Sequence, residues 1–107
     1  MRQANVFVND VLAGLIAETD EGYLFSYKSE YLLENKPPVS LTLPLQDKAY
    51  FSKTLFPFFD GLIPEGWLLD VVVHNWKVNP ADRFGIMLVA CKDPIGNVSI
   101  QEVSDDL

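Results

Sequence analysis

Apolar and polar residues alternate along the first third of the chain, and apolar residues recur at three- and four-residue steps in its second half. A period of two marks a strand with one buried face, and a period near 3.6 marks a helix. Ala4 to Val8 and Val11 to Ile16 flank Asn9-Asp10, a pair suited to the tight turn of a β-hairpin. Thr19-Asp20-Glu21-Gly22 predicts a second turn. The aromatic-rich stretch Tyr23-Leu24-Phe25-Ser26-Tyr27 then predicts a third strand, which completes an antiparallel meander.

Ser29 to Asn35 reads as a short helical turn with Ser29 as its cap, ended by Lys36-Pro37-Pro38, because proline disfavours helix at the residue before it. Val39, Leu41, Leu43 and Leu45 alternate with Ser40, Thr42 and Pro44, which predicts a further strand, restricted to an edge or strand end by Pro44. The second half predicts three short helices. Thr54 caps the first, which runs through Phe59 with Pro57 in its opening turn. Gly61 and Pro64 break it, and a second helix runs from Pro64-Glu65 to about Trp76. Asn79 as cap with Pro80 behind it opens a third, in which Phe84, Met87, Leu88 and Cys91 face the core. Asp93 to Asn97 is a turn, and Val98-Ser99-Ile100 returns to the sheet. Strands followed by helices predict an α+β fold. The 107 residues suit one domain with a core from about 4 to 100 and a frayed acidic tail over 101–107.

Charge narrows the range of functions. Eight basic residues against fifteen acidic ones give a net charge of −7. The basic residues are scattered, whereas a nucleic-acid binder gathers them on one surface. Direct contact with DNA or RNA is therefore disfavoured, while steering towards a basic partner is compatible with the charge, as is simple solubility. No apolar run approaches the roughly 20 residues of a membrane span, and the opening residues lack the apolar core of a secretory signal. The single cysteine, Cys91, has no internal partner, which fits a reducing cytoplasm and a small buried hydrophobe better than a catalytic thiol.

Catalytic groups are sparse. There is one histidine, no phosphate loop and none of the spacings that hold zinc or calcium. No cofactor or metal is expected. Asp70 and His74 are four residues apart on the predicted second helix. They can form a surface ion pair, or contribute to a metal site or triad whose remaining members are not identifiable. Glu65 suits a helix N-terminus on dipole grounds. At 100° per residue, Leu68, Leu69, Val72, Val73 and Trp76 share one side of this helix. Asp70, His74 and Lys77 share the other, and Trp67 lies with them. An indole on a polar face either folds over its own helix start, or under the loop from Leu45 to Lys53, or anchors a protein partner.

The segment Pro57-Phe58-Phe59-Asp60-Gly61-Leu62-Ile63-Pro64-Glu65-Gly66-Trp67 resembles the P-F-F-x-x-L-x-P-E-G signature of the amino-terminal subdomain of HipA-type serine/threonine kinases. Other stretches agree in order. Val6 to Leu15 is similar to that family's opening hairpin, and Pro38 to Leu45 to its P-[IVL]-S-x-[ST]-L-P-L segment. Asp82 to Met87 resembles its D-x-F-x-L-L helix, and Ile95 to Ile100 its end strand. The resemblance implies a non-catalytic module, since the family's nucleotide loop and catalytic aspartates lie in later regions. It further implies likeness to the short HipS-type proteins of three-component HipBST toxin–antitoxin systems, which bind and restrain a HipA/HipT-like kinase toxin beside a HipB-like DNA-binding protein. On that reading Trp67, Glu65, Asp70 and His74 are the candidate partner-binding residues. The alternatives are an orphan or excised subdomain with a purely structural role, and a small enzyme or metal site using Asp70 and His74.

Overall fold

The computed structural model describes residues 2–63, 79, 81–91 and 96–103. Five strands form one antiparallel sheet: β1 (Gln3–Val8), β2 (Val11–Glu18), β3 (Tyr23–Tyr27), β4 (Tyr50–Ser52) and β5 (Val98–Glu102). Three helices are described: α1 (Ser29–Leu33), α2 (Pro57–Asp60) and α3 (Arg83–Ala90). The strand order is β4-β3-β2-β1-β5, so the last strand closes the edge beside the first. This is the α+β architecture that the sequence predicts.

The hairpin forms where Asn9-Asp10 places it. Both residues are left-handed, with φ of 51° and 65°, the conformation a two-residue type I′ turn requires. The pairing shifts between Val6 and Phe7, so that Ala13 is the extra residue of a bulge. Gly14 beside it is fixed by close approach. A Cβ there would stand 2.5 Å from the Ser26 carbonyl oxygen and 2.9 Å from the Phe25 ring. Alternation then directs Ala4, Val6, Ile16, Phe25 and Ile100 to the inner face, all of them fully buried. From the helices, Phe59, Phe84, Ile86 and Met87 pack into the same core. The residues expected to line α3, Phe84, Met87, Leu88 and Cys91, are all buried.

Four local expectations are corrected. Val39 to Leu45 does not form a strand; it is an irregular loop with one isolated bridge between Ser40 and Leu43. Nor does the expected buried face form: Val39 and Leu43 are buried, but Leu41, of the same parity, is 94% exposed. The loop's backbone is satisfied by a side chain instead of a ladder. The buried Tyr27 hydroxyl accepts from the Val39 N–H at 3.0 Å and donates to the Leu43 carbonyl. The missing strand is supplied by the three residues of β4. Next, α2 begins at Pro57 with Phe56 at its cap position, so Thr54 does not cap it. Ser29 likewise is the first helical residue of α1 and not its cap. Finally, α3 begins at Arg83. Asn79 forms a local turn, its Oδ1 accepting from the Ala81 N–H at 2.9 Å. The cap is Asp82, which accepts from the Gly85 N–H at 3.0 Å, and a Cβ on residue 85 would collide with that carboxylate. β5 also runs through Glu102, two residues into the stretch expected to fray. The expected helix from Pro64 to Trp76 lies outside the described residues.

Burial pushes the Tyr27 hydroxyl's pKa up to about 12, so it stays neutral and keeps both bonds throughout the physiological range. Tyr27→Phe strands a buried N–H and a buried carbonyl. It is expected to cost about 1–3 kcal/mol in urea or thermal unfolding, against near-neutrality if water replaces the hydroxyl.

Candidate functional site

The segment that carries the family-like signature is built around Phe59. Pro57 sits at the first position of α2, where its missing N–H costs no hydrogen bond. One turn later Phe59 is fully buried, with its ring centroid 5.4 Å from Phe25, 5.1 Å from Phe58 and 6.1 Å from Phe56. The chain leaves the helix through Gly61, whose N–H donates to the Pro57 carbonyl at 2.8 Å, and reaches buried Ile63. Trp67, Glu65, Asp70 and His74 follow, and all four lie outside the described residues. The stretch 64–78 therefore enters from a core-anchored residue, Ile63, and leads back into Asn79 and the cap of α3.

Two ion-pair systems fasten this region. Arg83 at the start of α3 donates from Nε to Asp60 Oδ1 at 2.6 Å, tying α3 to α2. Arg2 forks in two directions. It donates to Glu18 at 2.8 and 2.9 Å and to Asp82 at 2.8 and 2.9 Å, with its guanidinium 5.2 Å from the Phe84 ring centroid. This bidentate pairing holds both carboxyls below their ordinary pKa values, chiefly through the Arg2 hydrogen bonds. The cap of α3 is thus bolted to β2 and to the start of β1. Between α2 and the sheet edge lies an open groove of about 670 Å3, lined among the described residues by Tyr23, Lys53, Leu55, Pro57, Asp60 and Arg83.

Sequence reasoning did not find the Arg2 clamp. Its partners are 16 and 80 residues away, and no local spacing reports such pairs. The one available signal is strand parity, which puts Arg2, Ala4, Ile16 and Glu18 on a common face. Cys91 stands as expected: buried, with its thiol pKa pushed up to about 11 by that burial. Among the described residues no group of three or more His, Cys, Asp or Glu side chains converges as a metal site. No described helix is long and apolar enough to cross a membrane.

Comparison with known proteins agrees with this architecture. Residues 4–101 match the profile of the HipA N-terminal domain family. An uncharacterized protein of Haemophilus influenzae is 34% identical over 102 residues, which cover 95% of this chain and 93% of that protein. A solved structure described as the N-terminal domain of HipA toxin superposes with a TM-score of 0.78 at 28% identity, covering 99% of this chain and 96% of that one. The chain belongs to the HipA N-terminal domain family.

Two predictions follow from the geometry. Arg2→Ala is expected to lower stability by about 1–2 kcal/mol, a modest figure because the clamp is partly exposed. The pH dependence has a definite sign. Carboxyls with depressed folded pKa values contribute stability that is present above their unfolded values near 4 and is lost as pH falls through the folded ones. Wild type should therefore lose stability in acid more steeply than Arg2→Ala; equal slopes would show the clamp to be electrostatically idle. Separately, the Cys91 thiol should resist a thiol reagent in the native protein and react fully after denaturation; rapid native labelling would contradict its burial.

Proposed function

We propose that this chain is a non-catalytic, HipS-like regulatory module that binds and restrains a HipA/HipT-type kinase toxin in trans, in the cytoplasm, alongside a HipB-like DNA-binding protein. The observation that carries the reading is the Haemophilus relative, 93% of whose length is covered by the match. A relative made almost wholly of this domain supports a role exerted through binding. A solved structure of the same fold, the N-terminal domain of HipA toxin, supports the toxin context. A domain that packs against a kinase body within one chain retains a complementary surface when it is encoded apart. The chain's net charge of −7 suits a basic partner and disfavours direct contact with nucleic acid.

The proposed contact is the stretch following α2, with Trp67 as the anchor and Glu65, Asp70 and His74 around it. Tryptophan contributes large apolar area at small rotamer cost and is enriched among interface hot spots. Seated in a kinase cleft, an indole blocks substrate or prevents the closure that many kinases require.

The test mixes the protein with the kinase encoded beside it and measures complex formation and kinase activity. Wild type should bind at submicromolar concentration and suppress phosphorylation. Trp67→Ala should weaken binding by about 2 kcal/mol or more, roughly thirtyfold. Binding that the substitution leaves unchanged would move the contact elsewhere, and absence of any complex would end the proposal.

A further inference from the structure

The sheet's outward face has a composition that a solvated surface does not explain, and we infer that it is the docking surface for a second copy of this chain. All three described helices cover the inner face. The charged residues at the rim of β1, β2 and β5 follow the inward parity: Arg2 and Glu18 pair there, and Glu102 lies opposite Ala4. Across the outward face, register aligns Phe51, Leu24, Ala17 and Gln3 in one row. The next row holds Ser26, Leu15, Asn5 and Gln101. Neither row contains a charge, although the chain has eight basic and fifteen acidic residues. The alternation reaches charged residues only beyond the strand ends, at Asp10, Lys28 and Lys53. An antiparallel sheet with one face in water ordinarily places its polar and charged residues outward. Here Phe51 is 52% exposed and Leu24, its direct cross-strand partner, 37% exposed.

Charge selects the occupant. Each copy carries −7, so two copies repel wherever their acidic surfaces meet. A charge-free face lets them approach without opposing like charges. A face shaped for a basic partner would instead present acidic residues. Depletion of charge around an apolar centre is the composition of homodimer interfaces. Two sheets stacked about 10 Å apart through a two-fold axis satisfy the geometry. With strands about 4.8 Å apart and about five residues long, the face buries on the order of 600 Å2 per copy once side-chain relief is included. The total, on the order of 1,200 Å2, is at the lower end for a specific interface, so a micromolar dimer is expected. This inference uses none of the residues proposed to bind the kinase and stands independently of that reading.

Sedimentation equilibrium of the full chain between about 5 and 200 μM tests it. Wild type should pass from monomer to dimer with concentration. Phe51→Lys and Leu24→Lys, whose added charges the two-fold axis would set against each other, should each weaken association at least tenfold. Leu41→Lys, the same charge change on a 94% exposed loop residue, should leave it unchanged. Unfolding midpoints verify that each variant is folded, and Phe51→Gln serves as the milder substitution if a lysine disrupts the edge strand. A wild type monomeric over the whole range overturns the inference, as does a dimer indifferent to both face substitutions. A monomer whose kinase complex is weakened by Phe51→Lys would give the face to the kinase and overturn it equally.

Discussion

A five-stranded sheet with one strongly apolar face has to be covered across its full width, and among the described residues little helix does so. The described cover consists of one five-residue helix, one four-residue turn and one eight-residue helix. Aromatic side chains make up the deficit. Phe59 is fully buried from a helix too short to be stable alone, and its ring meets Phe25 of β3 across the layer. Phe84 extends the cover towards β3, stacking on Tyr23 with centroids 5.7 Å apart. A fully buried phenylalanine is worth about 2–3 kcal/mol of transfer free energy. A few such rings therefore replace several turns of helix. The signature Pro57-Phe58-Phe59 is thus first a structural device, and only through its position does it bear on function.

The same economy governs the polar groups. A chain with this much irregular backbone over its core needs partners for every buried N–H and carbonyl. Among the described residues no buried side-chain nitrogen or oxygen lacks a hydrogen bond. Tyrosines account for much of this. Tyr27 serves the loop at Val39 and Leu43, Tyr31 donates to the Pro37 carbonyl at 2.5 Å, and Tyr50 to the Pro44 carbonyl at 2.6 Å. Three hydroxyls thereby hold the proline-rich stretch between α1 and β4. A ring filling the core and a hydroxyl satisfying the backbone are two contributions from one side chain.

This explains which elements were legible in the sequence. The Asn9-Asp10 hairpin, the three meander strands, the returning β5 and the core face of α3 all announce themselves through local periodicity or turn chemistry. The loop from Val39 to Leu45 misleads because its apolar alternation is not followed by burial: Val39 and Leu43 point inward, while Leu41 between them is exposed. Tyr27, 12 residues earlier than Val39, holds the backbone in place of a ladder. β4 goes unseen because three residues are too few to show a period. The cap of α3 is misplaced by three residues because Asn79-Pro80 is a good local start signal. Asp82 wins because Arg2 reaches it from the other end of the sequence. The candidate site is legible as a motif and as a helical wheel, and its Trp67, Glu65, Asp70 and His74 lie outside the described residues.

The Arg2 clamp and the Asp60–Arg83 pair bear on the proposed function through their positions on either side of residues 64–78. Individually, partly exposed ion pairs contribute little stability. Their placement matters more than their sum. Asp60 lies three residues before Ile63, and Asp82 three after Asn79, so the pairs fasten the described residues on either side of 64–78. Binding through a segment loses affinity in proportion to the freedom it gives up, and fixing its ends removes part of that cost beforehand. The pairs also set a guanidinium against Asp60 and against Asp82, the carboxylates that flank the stretch proposed to bind the kinase. The sheet thus carries its described ion pairs on the helix side and leaves the two aligned rows of its opposite face uncharged. That separation is why the proposed kinase contact and the proposed contact between copies draw on different residues.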